Sequence, residues 1–311
     1  MILSALVLAA AAAASPVERT ISARGPLAPL AGSLLDAGKR APVILFVPGS
    51  GPTDRDGNSP LGIKAAPYRL LAQGLAARGI SSVRIDKRGM FGSQAAIADA
   101  NKVTISDYAA DTHAWVASIR KITGATCVWL LGHSEGGLVV LTAAQRPDGI
   151  CGVITVAAVG RRIGAVLREQ LQANPANAPF LDAAFKAIAS LEAGRKVNSA
   201  TLPKPLRTLF ADDVQPFLID LFAENPEALA AALKVPLLIV QGDNDIQVTV
   251  DDARALADAQ PNATLALLPG VNHVLKMAAS KDRAANLKAY ADPSLPIAPA
   301  AVQAIAEFVK R

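Results

Sequence analysis

The chain has 311 residues, of which 51% are apolar and only 18% charged, so it holds the material of a sizeable core and is excluded from the disordered class. Its formal net charge of +5 is scattered along the sequence. Without basic runs or interleaved aromatics, this charge argues against a nucleic-acid partner.

The first 14 residues run from Met1-Ile2-Leu3-Ser4-Ala5-Leu6-Val7-Leu8 into an Ala tract ending at Ala14. This reads as a signal peptide, although no Lys or Arg precedes the apolar stretch. Export to the periplasm or medium is expected, with the mature chain starting near Ala14 or Ser15; a cytoplasmic location follows if the segment is not a signal. It is too short to span a bilayer unaided, and no later segment has the length of a membrane helix, so no membrane span is expected.

Two weak β-compatible stretches lie within residues 20 to 36, interrupted by Gly25, Pro26 and Pro29, and suggest an antiparallel start to a sheet. Short apolar runs then alternate with helical patterns, the signature of a mostly parallel sheet flanked by helices, an α/β fold. Expected strands are 43–47, 82–86, 127–131, 153–156, 236–240 and 264–268. Expected helices are 64–78, 104–121, 138–145, 250–259 and 299–309. Thr104 with Asp107 three residues on is a capping pattern for the second helix. Between 159 and 235 the alternation stops and helical segments are punctuated by prolines, including Pro175, Pro179 and Pro216. The domain reading is therefore an α/β core at 20–158 and 236–311 with an inserted helical cap at 159–235. Within the cap, a helix at 178–193 carries Phe180, Phe185, Ile188 and Leu191, whose spacing suits ordinary packing better than the lining of an acyl pocket. Cys127 and Cys151, the two cysteines, each open one of two neighbouring expected strands. They are compatible with one disulfide, but two buried free thiols are the preferred reading.

Gly132-His133-Ser134-Glu135-Gly136 follows the strand 127–131 and precedes a helical pattern. A sharp strand-to-helix turn with small residues on both sides presents a serine hydroxyl above a sheet edge, and the helix N-terminus offers N–H groups to a developing oxyanion. Ser134 is the candidate nucleophile. A serine needs a base, and the sequence holds three histidines. His133 is adjacent to Ser134 and leaves the turn in another direction, which suits packing. His113 lies in the expected helix 104–121, where a helix-face role is simpler. His273 follows the last parallel strand and emerges at the edge where Ser134 is presented, so it is the candidate base. The acid that orients it should follow an intervening strand. Gln241-Gly242-Asp243-Asn244-Asp245 offers two carboxylates, and Asp245 is preferred because Asp243 beside Gly242 reads as a turn former. Asp251 and Asp252 suit the start of the helix at 250. For the oxyanion hole, one backbone N–H falls to Glu135 and the other to Ser50 in Pro48-Gly49-Ser50-Gly51-Pro52. That loop lacks the third glycine of a dinucleotide fingerprint, and Asp54 would repel a pyrophosphate.

With these pieces placed, the sequence resembles the α/β-hydrolase superfamily, and within it bacterial serine esterases and peptidase-like hydrolases with a helical cap. The resemblance runs through Pro48 to Asn58, Asp86-Lys87-Arg88-Gly89, Gly132 to Gly137, Gly242 to Asp245 and Asn272-His273. Pro48 is a departure, standing where many members carry His. The resemblance implies that no metal or organic cofactor is needed, and it implies a ping-pong mechanism through an acyl-enzyme. Asp54, Arg55 and Asp56 read as a mutual ion pair shaping their loop, Asp86 to Arg88 as structural, and the Glu135 side chain as facing the cap or solvent. The leading expectation is a carboxylic-ester hydrolase acting on small-molecule acyl esters. Thioesterase, peptidase or acyltransferase chemistry, and an idle hydrolase-like ligand-binding protein, stand as alternatives.

Overall fold

The computed structural model describes residues 16–311; the proposed signal segment lies outside the described residues. In chain order the elements are β1 (Val17–Ala23), β2 (Leu30–Asp36), β3 (Val43–Val47), α1 (Pro67–Ala76), β4 (Ser81–Ile85), α2 (Ile105–Thr123), β5 (Val128–His133), α3 (Glu135–Ala143) and β6 (Ile150–Val156). There follow α4 (Ile163–Gln172), α5 (Leu181–Glu192), α6 (Gln215–Ala223), α7 (Pro226–Ala231), β7 (Leu237–Gly242), α8 (Val250–Ala259), β8 (Thr264–Leu268), α9 (Arg283–Ala291) and α10 (Pro299–Val309).

The strands form one sheet in the order β1-β2-β4-β3-β5-β6-β7-β8. β1, β2 and β4 pair antiparallel, and every other neighbouring pair is parallel. The antiparallel start and the α/β class are as the sequence implies. Because side chains alternate across a strand, β3 feeds both layers. Val43, Leu45 and Val47 pack with Trp115 of α2 and Leu138 of α3, while Ile44 and Phe46 pack with Leu71 and Leu75 of α1 and Ile305 of α10.

Local signals act where expected. The Thr104 hydroxyl accepts from the Asp107 N–H, and the Asp107 carboxylate accepts from the Thr104 N–H, which closes the N-terminus of α2. β5 runs two residues further than expected, to His133, and α3 begins at Glu135 rather than at 138, so the turn between them is tighter than the hydrophobic pattern implies. α9 has no counterpart among the expected elements. Its only buried residues are Asn286, Ala289 and Tyr290, too faint an apolar period to read.

Between β6 and β7 the chain is helical. α4, α5 and α6 pack on one another, while α7 lies against α3 and α8. Arg161, ahead of α4, pairs with Asp252 of α8 at 2.9 Å, tying the start of this segment to the core. The preference for free thiols is corrected: Cys127 and Cys151 form a disulfide. The pairing of Val128 with Ile150 between the parallel strands β5 and β6 brings both cysteines to the same end, with Cα atoms 5.2 Å apart. Among the described residues no helix is long and apolar enough to cross a membrane.

Candidate active site

Ser134 sits at the junction of β5 and α3 with φ 54° and ψ −123°, a conformation that L-residues adopt only under constraint. Its neighbours enforce it. The Ser134 N–H donates to the Val156 carbonyl at 3.0 Å. A Cβ on Gly132 would stand 2.1 Å from the Gly136 carbonyl oxygen, and one on Gly136 would stand 2.3 Å from that of Val47. The elbow thus admits no side chain at either glycine. Just beyond it, the Glu135 N–H opens α3 and has no hydrogen-bond acceptor among the described residues, as the first N–H groups of a helix do not.

His273 and Asp245 lie on the loops after β8 and β7. Both are buried, and the His273 Nδ1–H donates to Asp245 Oδ2 at 2.7 Å. Asp245 Oδ1 accepts from the N–H groups of Gln247 at 2.7 Å and Val248 at 3.0 Å. Burial alone would raise the Asp245 carboxyl, but the adjacent imidazole and these donors outweigh it and hold it below the usual carboxylate range. With its proton on Nδ1, His273 leaves Nε2 as the basic nitrogen. Asp243 plays a separate part, accepting from the Gly270 N–H at 2.6 Å and so tying the two loops together. Asp252 and Thr249 form a capping box on α8, and Asp251 lies in that helix's first turn.

Ser50, Ser134, Glu135 and His273 line one cavity of about 610 Å³. Ser134 and His273 share this wall without a hydrogen bond between them among the described residues, a spacing common in unliganded sites. Apolar side chains from α4 and α6, among them Val166, Leu167, Phe217 and Leu218, line the same cavity.

The other histidines have partners of their own. His113 Nε2–H donates to the Ala143 carbonyl at 3.0 Å. His133 does more than pack. Its Nε2–H donates to the His273 carbonyl at 2.8 Å, its Nδ1 accepts from the Tyr68 hydroxyl at 2.9 Å, and Tyr68 Oη accepts from the Gly49 N–H at 3.2 Å. Burial, reinforced by His273, lowers the His133 pKa to about 3, so this relay from Gly49 to the His273 backbone carries a neutral imidazole.

Three sequence expectations about charge need revising. Arg55 and Asp56 do not pair with each other: Arg55 pairs with Asp86, and Asp56 with Arg84 of β4, whose side chain is buried and needs a counter-charge. Asp54 instead accepts from the N–H groups of Asp56 and Asn58, both at 2.8 Å. The Glu135 side chain is buried and does not face solvent, although the residue lines the cavity that the helical segment also walls. It turns inward, accepting from Ser50 Oγ at 2.8 Å and pairing with Lys87 at 3.4 Å. Arg88 is structural, held by Asp107 and Asp111 of α2, but its neighbour Lys87 lines the cavity. The available signal for Lys87 is its position: it follows β4 at the same sheet edge as Ser50 and Ser134. Tyr68, inside a helix, carries no such signal.

An eight-stranded, mostly parallel sheet bearing a strand-turn-helix serine beside a buried His–Asp pair defines a class of fold and site. Residues 44–285 match the model of the alpha/beta hydrolase family, and the chain belongs to that family. A curated relative, Esterase EstD of Thermotoga maritima, is 25% identical over 238 residues, which are 75% of this chain and 54% of the relative. The match thus spans about half of that relative's length. Among solved structures, Est1E from Butyrivibrio proteoclasticus with ferulic acid bound has a TM-score of 0.59 at 18% identity, covering 93% of this chain and 98% of that one. Dienelactone hydrolase from Anabaena variabilis has a TM-score of 0.56 at 16% identity, covering 95% and 98%. A thermophilic esterase from Thermogutta terrifontis gives 0.56 at 17%, covering 94% and 98%. At these identities the likeness is one of fold.

Proposed function

We propose that the protein is a serine hydrolase that cleaves carboxylic esters through an acyl-enzyme on Ser134, with His273 as general base and Asp245 orienting it. The observation that carries this reading is the convergence of Ser134, held at its strained turn, and the Asp245-bound His273 on one apolar-walled cavity. The curated relative's name, an esterase, favours esters among acyl substrates.

In this mechanism Ser134 Oγ attacks the ester carbonyl carbon while His273 Nε2 takes its proton. The carbonyl oxygen becomes an oxyanion held by the N–H groups of Ser50 and Glu135. Collapse breaks the bond to the alkoxy oxygen, which leaves with the proton from His273 as an alcohol. Water then attacks the acyl-enzyme with His273 again as base, releasing the acid and restoring Ser134. The segment 159–235 serves as a cap whose apolar helices receive the acyl part, with a cavity size suited to small or medium esters. Export is part of the same proposal, supported by the apolar N-terminal segment and the disulfide.

A fluorophosphonate probe tests the chemistry. Wild-type protein should label and should hydrolyse p-nitrophenyl esters, whereas Ser134→Ala should not label and should lose at least about a thousandfold in kcat. An unlabelled wild type, or undiminished labelling of the variant, sinks the proposal and favours an idle binding protein.

A further inference from the structure

Behind the proposed oxyanion hole lies a buried cation that takes no part in the proton transfers of the proposed mechanism. Lys87 is 4% exposed, and its Nζ donates to the Gly49 carbonyl at 2.6 Å and to Glu135 Oε1 at 3.4 Å. It also stands 5.0 Å from the centre of the Tyr108 ring. Its ammonium is thus held by groups of the protein itself at the wall of the cavity.

The Gly49 carbonyl belongs to the same planar peptide unit as the Ser50 N–H, and in a trans peptide the two point in opposite directions. Fixing the carbonyl on Lys87 therefore fixes the direction of the Ser50 N–H, which has no acceptor among the described residues and lies on the cavity wall. The Gly49 N–H, given to Tyr68, steadies the preceding peptide as well. A cation bound to a carbonyl oxygen also draws electron density from its amide nitrogen, which makes that N–H a stronger donor. The same ammonium faces Glu135, whose carboxylate starts one residue beyond Ser134 and binds the Ser50 hydroxyl. Left unpaired, that carboxylate would oppose a second negative charge forming at the substrate carbonyl.

We infer that Lys87 is a positioning residue of the oxyanion hole: it aims and polarises the Gly49–Ser50 peptide and neutralises Glu135, so that negative charge can develop beside Ser134. This rests on the serine-hydrolase reading. Lys87 also supplies the loop with a support that does not depend on residue 48, where this chain carries Pro.

The test measures kcat and KM on a p-nitrophenyl ester, with inhibition by a trifluoromethyl ketone matched to its acyl part, for wild type, Ser134→Ala, Lys87→Met and the pair Lys87→Met with Glu135→Gln. The double variant leaves no stranded carboxylate, so it remains informative if Lys87→Met fails to fold. Thermal midpoints and circular dichroism report folding. Lys87→Met should lose about tenfold to a hundredfold in kcat, a fraction of what deleting a whole oxyanion donor costs, with KM within about threefold. Ketone affinity should fall in step with kcat/KM, because its hemiketal oxygen occupies the same hole. The double variant should recover part of the loss but remain about tenfold below wild type in kcat. If Ser134 is needed for activity and folded Lys87 variants keep wild-type kcat, or lose KM and kcat without losing ketone affinity, the inference about Lys87 fails alone. If Ser134→Ala is as active as wild type, the hydrolase reading fails first.

Discussion

His133 shows how much a single buried side chain can set. Its imidazole is neutral in the folded protein because burial and His273 bring its pKa from the ordinary 6.5 to about 3. In the unfolded chain it takes a proton as the pH falls below about 6.5. Between these two values the unfolded state binds one more proton, so this residue makes stability fall by about 1.4 kcal/mol for each pH unit of acidification. Asp245 acts lower down. A carboxyl held below its usual range contributes stability above that range and loses it as the pH falls from there through its folded value. Urea unfolding of wild type and His133→Gln between pH 4.5 and 6 should thus show a pH slope shallower by about one proton in the variant. Equal slopes would mean that His133 is charged in the fold. In sequence His133 reads as a packing residue, because adjacency to Ser134 shows direction and not partners; its acceptor lies 140 residues away on the His273 backbone.

At the scale of elements, strands and helices of the core are legible because each depends on near neighbours. The run Val43–Val47 is apolar at every position and becomes a strand buried on both faces, and the Thr104/Asp107 pair closes its helix from three residues' separation. The helices between β6 and β7 are legible as helices, but not in what they cover. Of the apolar residues in 178–193, α5 turns Ile188 and Leu191 into the core, as ordinary packing would have it, while α4 and α6 contribute apolar side chains to the cavity wall. Leu218 of α6 is 8% exposed and faces that cavity. Leu218→Trp should narrow it by more than the helices can absorb, a change of about 1–3 kcal/mol for a long acyl chain. The ratio of kcat/KM for p-nitrophenyl octanoate to that for the acetate should drop at least about tenfold. An unchanged ratio would place the acyl chain elsewhere.

For the whole molecule, the decisive pairings cross the sheet. β5 lies between β3 and β6, so the Cys127–Cys151 bridge links adjacent parallel strands across 24 residues of sequence. Closing a loop of that length is worth about 3 kcal/mol in the chain-entropy account. Material recovered from the periplasm or medium should begin near Ala14 or Ser15 and titrate no free thiol. Cys127→Ser with Cys151→Ser should lose stability of about that size in denaturant. A retained Met1 with two reactive thiols would count against export and oxidation together.

The strand-turn-helix around Ser134, the parallel alternation and the short set of candidate histidines and carboxylates were determined by the sequence itself, because hydrophobic period, turn residues and capping act over a few positions. What only the tertiary structure decided was which groups meet: His273 with Asp245 across 28 residues, Lys87 with Glu135 across 48, Ser50 with Glu135 across 85, and the two thiols with each other. Strand order and register set each meeting: the C-terminal ends of β3, β4, β5, β7 and β8 lie along one edge of the sheet and carry the site groups, while the thiols meet at the other end, where β5 and β6 begin. In sequence Lys87 reads as structural and the Glu135 side chain as facing the cap or solvent, with nothing to pair the two. Only the burial that removes water from around them makes their pairing obligatory.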